Sequence, residues 1–234
     1  MISNTLLRGI FHRNLSRKEI SRLFRNPTIL RFIPYQMLQT FRQVNEYEDW
    51  LELGRTTAPP HFVKQMIVRR FAKRFRLQAF VETGTYRGDM IAAVEDIFDQ
   101  VYSIELGQEL WKTARDRFLG KKHITILQGD SQHLLPQVLT ALTVPCLFWL
   151  DAHWSAGVTA KGLRNTPVME ELRHICRRQV EGDVILIDDA RHFTGRNDYP
   201  SVDEITSFLK SLGYRRTIEV MDDIIRIYRQ QNGK

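Results

Sequence analysis

The feature that most constrains this chain is a regular exchange of short apolar strands with amphipathic helices between residues 62 and 212. Strands are expected at 79–83, 101–105, 123–128, 145–151 and 183–188, separated by helices at 88–98, 108–118, 131–142 and 166–179. A helix at 62–75 precedes the series and one at 201–212 follows it. Alternation with short connections implies a parallel sheet carrying helices on both faces. The runs 147–150 and 184–187 are almost wholly apolar, as strands buried on two faces must be. The end breaks the rhythm: Tyr214–Val220 and Ile224–Tyr228 read as two strands joined by Met221-Asp222-Asp223, a hairpin-like link. The expected fold is α/β: a Rossmann-like, doubly wound, mostly parallel seven-stranded sheet, with a helical N-terminal extension.

That extension, residues 1–60, has a different character. Ile20, Leu23 and Phe24 recur at helical spacing among basic residues, and a second helix is expected over 35–53 with Met37, Leu38, Phe41 and Val44 on one face. Gly54 through Pro60 reads as a linker to the domain at 61–234. Residues 1–45 hold eight Lys/Arg and one acid, whereas the remainder holds 26 bases and 26 acids. The body therefore lacks an electrostatic footprint for nucleic acid, and any attraction to polyanions or an anionic membrane surface belongs to the N-terminal segment. No run approaches the ~20 apolar residues of a membrane span, and no secretory signal is read at the N-terminus. Cys146 and Cys176 lie in strand-like and helix-like settings, as expected of reduced thiols in a cytoplasmic protein.

In a doubly wound sheet ligands bind at the carboxyl ends of the strands. The first strand ends Glu82-Thr83-Gly84-Thr85-Tyr86-Arg87-Gly88. This is not a dinucleotide fingerprint, because an acid replaces its first glycine. A carboxylate there repels a pyrophosphate and favours a cation. The second strand ends in Glu105, at the spacing from Gly84 where an acid binds ribose hydroxyls; an acid opening the next helix is the plainer alternative. The third ends in Gly129-Asp130-Ser131, where Asp130 either accepts from an adenine amino group or caps the following helix. Strand four ends in Asp151-Ala152-His153-Trp154, and strand five in Asp188-Asp189. If these two strands are neighbours, Asp151, Asp188 and Asp189 converge, and uncompensated carboxylates so close need a proton or a hard divalent cation.

Glu82-x-Gly84-x-x-x-Gly88, Glu105 and Gly129-Asp130 resemble the successive motifs of class I S-adenosylmethionine (SAM) dependent methyltransferases, over about 150 residues. The terminal hairpin resembles that family's reversed last strand. The resemblance implies that Glu82, Gly84, Thr85 and Gly88 hold the amino-acid part of SAM, Glu105 its ribose, and Asp130 with Ser131 its adenine. Asp151-x-His153 with Asp188-Asp189 is similar to the metal-dependent sugar O-methyltransferases of the macrocin type, although those enzymes often carry a longer acidic run after strand four. It implies Mg²⁺ on Asp151, Asp188 and Asp189, His153 as the base, and a sugar, glycan or small-molecule hydroxyl as acceptor. Loop residues Trp154, Lys161 and Arg164 are candidate acceptor contacts or solvated side chains. RNA methylation and a non-catalytic SAM-binding module are the alternatives; a nicotinamide dehydrogenase is disfavoured by Glu82.

Overall fold

The computed structural model describes residues 35–152, 166–178 and 180–230. The helix expected around Ile20–Phe24, together with His153, Trp154, Lys161 and Arg164, lies outside them. The chain divides into two compact units, Met1–Thr56 and Thr57–Lys234. In the smaller, helix α1 spans Tyr35–Glu52. Val44, expected on its apolar face, is exposed; Trp50 is buried, with the Arg55 guanidinium 5.2 Å from its ring centre. Among the described residues no helix is long and apolar enough to cross a membrane.

The larger unit follows the expected alternation: α2 (His61–Phe75), β1 (Ala79–Thr83), α3 (Asp89–Val94), β2 (Gln100–Glu105), α4 (Gln108–Arg117), β3 (Ile124–Gln128), α5 (Ser131–Ala141), β4 (Cys146–Leu150), α6 (Val168–Cys176), β5 (Val184–Ile187), α7 (Val202–Ser211), β6 (Thr217–Met221) and β7 (Ile224–Tyr228). The strands form one sheet in the order β3-β2-β1-β4-β5-β7-β6. β1 to β5 are parallel, and β7 runs antiparallel to both β5 and β6. Strand order reverses between β1 and β4, which opens a crevice at their carboxyl ends.

Alternate residues of the central strands feed two cores. Val81, Phe148, Leu150, Ile185 and Ile187 pack with Leu135 and Val138 of α5, Leu172 and Ile175 of α6, and Ile205 and Leu209 of α7. Phe80, Leu147, Trp149, Val184 and Leu186 face the other side, against Val68 and Phe71 of α2 and Ile91 of α3. Most of these side chains are fully buried, each contributing roughly 1.5–3 kcal/mol before chain entropy is set against it. α7 starts on a reciprocal cap between Ser201 and Glu204.

Two boundaries differ from expectation. The helix expected over 88–98 is α-helical only to Val94 and tightens into a 3-10 turn, Glu95–Ile97, which swings Phe98 into the core before β2. β6 begins at Thr217, not Tyr214. Gly213 takes φ +70°, and the Tyr214 amide donates back to Leu209, so Tyr214 closes α7 instead of opening a strand.

Candidate active site

Among the described residues, those singled out at the strand ends gather along the carboxyl rim of the sheet. β3, β2 and β1 are consecutive neighbours, so Asp130, Glu105 and Glu82 stand in that order across it. Glu82 is buried at the end of β1 and accepts a 2.6 Å hydrogen bond from the Ser103 hydroxyl. Ser103 in turn lies 2.6 Å from the Thr85 hydroxyl. Burial pushes the Glu82 carboxyl up to about 8; the Ser103 bond opposes this, and the charges of Glu105 and Asp89 add to it. Near pH 7 such a carboxyl keeps its proton, and a cation beside it favours the ionised form.

Gly84 takes φ +90°, and a Cβ on it would lie 2.5 Å from the Asp151 carbonyl oxygen. The close approach that demands glycine is thus to the backbone leaving β4. Gly88 is similarly confined: it takes φ +75° at the start of α3, and a Cβ would meet the Phe118 ring at 2.6 Å. Between them the Gly88 amide donates to the Thr85 carbonyl, and Tyr86 takes φ +49°.

Glu105 is buried, with both oxygens engaged by backbone. Oε2 accepts from the Tyr86 amide and Oε1 from the Gly107 amide, each at 2.8 Å. Its carboxylate therefore clasps the loops after β1 and β2 together. Burial raises its pKa, while these amides pull against the rise. Asp130 caps α5, its Oδ1 accepting from the Gln132 amide at 2.9 Å. Capping engages one oxygen and leaves Oδ2 at the half-buried rim, 3.9 Å from His133. Ser131 is buried beside it.

The side chain of Ser131 points to a residue that the sequence reading missed. Glu171 of α6 is 1% exposed, and burial pushes it up to about 7, with the Ser131 hydroxyl opposing. Glu171 Oε1 and Thr83 Oγ1 are buried without hydrogen-bond partners among the described residues. The signal was present: Glu171 shares the stripe of Val168, Leu172 and Ile175, at the spacing of a buried face.

At β4 and β5 the three aspartates do converge. Oxygens of Asp151, Asp188 and Asp189 lie within 4.8 Å of one another. The cluster is not uncompensated, however, and this corrects the premise from which a cation was expected. Lys64 of α2 places its ammonium 2.5 Å from Asp188 Oδ2 and 3.3 Å from Asp189 Oδ1. Arg191 reaches Asp189 at 3.1 Å and also pairs with Asp223. The second Asp188 oxygen accepts from the Asp189 amide at 2.8 Å, with Asp189 held at φ +55°. Burial pushes Asp188 up to about 6, Lys64 opposing and Asp189 adding. Asp151 is raised as well, by burial and then by Asp188. Burial works against the Lys64 charge, yet the acids prevail and hold it protonated above its ordinary range. Lys64 also had a signal: it falls on the buried stripe of α2 with Val68 and Phe71.

Three hard oxygen donors within one small volume fit a divalent cation. Lys64 already occupies Asp188 Oδ2, so a cation there competes with an ammonium. Acid–base groups nearby are His61, one turn before Lys64, and Tyr199. Burial and then Lys64 hold the imidazole below its usual range. Burial, Asp189 and Asp151 raise the Tyr199 phenol.

The architecture is similar to that of solved methyltransferases. The SAH-bound methyltransferase PaMTH1 of Podospora anserina is 14% identical, with a TM-score of 0.52 over 85% of this chain and 89% of that one. The O-methyltransferase TomG of Streptomyces achromogenes, involved in tomaymycin synthesis and solved with SAM, is 14% identical, with a TM-score of 0.52 over 80% and 89% of the two chains. An O-methyltransferase of Bacillus cereus in complex with SAH is 13% identical, with a TM-score of 0.52 over 79% and 91%. At such identities the likeness is one of fold: this chain has the Rossmann-like fold of class I SAM-dependent methyltransferases. No protein-family model matches the chain, and no curated protein matches it.

Proposed function

We propose that the chain is a SAM-dependent methyltransferase that transfers methyl to a hydroxyl oxygen of a sugar, glycan or small molecule. The observation that carries this reading is the run of carboxyl groups on consecutive strand ends, Asp130, Glu105 and Glu82, beside the cluster Asp151, Asp188 and Asp189. Solved proteins of the same fold that carry SAM or SAH support it.

When bound, SAM supplies an electrophilic methyl on a sulfonium, and a divalent cation supplies charge that lowers the pKa of an acceptor hydroxyl. The chain's own residues do the rest. Glu82, neutral in the ligand-free protein near pH 7, gives up its proton when an ammonium arrives beside it; Glu105 offers its remaining lone pairs to ribose hydroxyls, and Asp130 its second oxygen to an amino group. Asp151, Asp188 and Asp189 would hold the cation, and His153 would take the acceptor proton. Lys64 favours a second version, in which the ammonium stands where the cation would and orients the acceptor without metal.

Calorimetric titration with SAH, with and without Mg²⁺, followed by a hydroxyl-acceptor screen, tests the proposal. SAH binding is expected, with Asp151→Asn sparing it and abolishing transfer. Activity lost in EDTA and restored by Mg²⁺ selects the first version; full activity in chelator selects the second. Binding without turnover on any acceptor leaves a non-catalytic SAM-binding module, and no SAH binding ends the reading. Contact of the basic residues 1–45 with a membrane surface is a separate proposal, checked by sedimentation with anionic liposomes at low salt.

A further inference from the structure

The opposite edge of the sheet carries charge that the fold itself leaves unpaired. The last two turns of α2, with Arg76, Leu77 and Ile97, line a cavity of about 640 Å³ near the amino end of β1. Four cations surround it: Arg69, Arg70, Lys73 and Arg76. Arg69 is engaged, bonding Asp96 at 2.5 and 2.9 Å and donating to the Ala93 carbonyl. Arg74, also on α2 but not on the cavity, lies over the Phe75 and Tyr228 rings. Arg70, Lys73 and Arg76 are exposed and form no ion pair, hydrogen bond or ring contact through their side chains among the described residues. Three exposed cations around one concavity, with one neutralised neighbour, leave it with a positive potential that water and salt only partly screen and that favours an anion.

Arg76 adds an independent observation. It caps α2 in the left-handed conformation, φ +53°, where glycine is favoured. That conformation closes the helix, the Leu77 amide donating back to the Ala72 carbonyl, and it places Arg76 on the lining of the cavity.

We propose that this cavity binds a small anion bearing a phosphate group. Arg70, Lys73 and Arg76 hold the charged group, as guanidinium and ammonium donors do for phosphate oxygens. Ala72, Leu77 and Ile97 cover the less polar part. The cavity is separated from Glu82 by the length of β1, on the order of 15 Å, so it is distinct from the rim described above.

Titration of the full-length protein with pyrophosphate at low salt tests the proposal, with SAH titration as the control. Binding is expected to weaken at least about tenfold in R70Q/K73Q, whose positions are exposed, and to fall with added salt. Arg76→Gly is expected to weaken it as well while raising the melting temperature, because glycine relieves the left-handed cap. This separates lost binding from lost folding. Sedimentation with phosphatidylglycerol vesicles, against phosphatidylcholine, distinguishes the source of the phosphate: sensitivity to the same substitutions assigns it to a lipid headgroup, insensitivity to a soluble ligand. The proposal is overturned if neither pyrophosphate nor vesicle binding depends on these residues.

Discussion

Glu82 holds its proton in the folded protein over a range where the unfolded chain releases it. Its carboxyl is raised from about 4.5 to about 8. The folded state therefore binds more protons between these values, and stability falls as pH rises from about 4.5 through 8. Glu82→Gln removes that slope and is expected to stabilise the ligand-free protein above pH 8 by on the order of 2–4 kcal/mol, while weakening SAH binding. Urea denaturation at about pH 5 and about pH 9 checks the first part and calorimetry the second. At Gly84 the constraint is steric. Gly84→Ala sets a Cβ against the Asp151 carbonyl at positive φ and is expected to cost about 2–4 kcal/mol, read as a fall in melting temperature. Glu82, Gly84, Glu105 and Asp130 were legible in the sequence because a strand end is a fixed address once the alternation is recognised. What they touch was not. The glycines answer to Asp151 and Phe118, and Glu105 to two backbone amides, partners that only the folded register brings near.

Elements are joined at the site by one helix as much as by the strand ends. α2 packs Val68 and Phe71 against one core and sends Lys64 to the aspartates after β5. Removing that ammonium leaves Asp188 buried among like charges. Lys64→Met is expected to destabilise the protein by about 2–4 kcal/mol near pH 8 and by less near pH 5, where the aspartates take up protons. If a cation shares the cluster, the same variant should bind Mn²⁺ about tenfold more tightly, because its competitor is gone; unchanged Mn²⁺ affinity argues for the metal-free version. Helix and strand identities followed from periodicity, since apolar strands and striped helices differ in pattern. Lys64 and Glu171 escaped because a charged residue on an apolar stripe reads as noise until its partner, distant in sequence, is known. The ends of α3 and β6 escaped for another reason: helix termini are set by where the next residue must go, as Phe98 and Tyr214 show.

At the scale of the molecule, charge and fold are segregated. The excess positive charge lies in residues 1–45, and the compact unit Thr57–Lys234 contains both cores. A fragment starting at Thr57 is expected to unfold cooperatively and to bind SAH as the full chain does, measured by circular dichroism and calorimetry. The sheet itself has an order of assembly written into it. β7 is the last strand along the chain to form, yet it lies between β5 and β6, with Ile225 and Ile227 paired to Ile187 and Ile185. During synthesis on the ribosome, β1 to β5 can associate while the outer edge of β5 is still an open, wholly apolar template. Premature termination between Asp188 and Ile224 would leave that template permanently bare, so such nonsense products should appear in inclusion bodies instead of persisting as soluble chains.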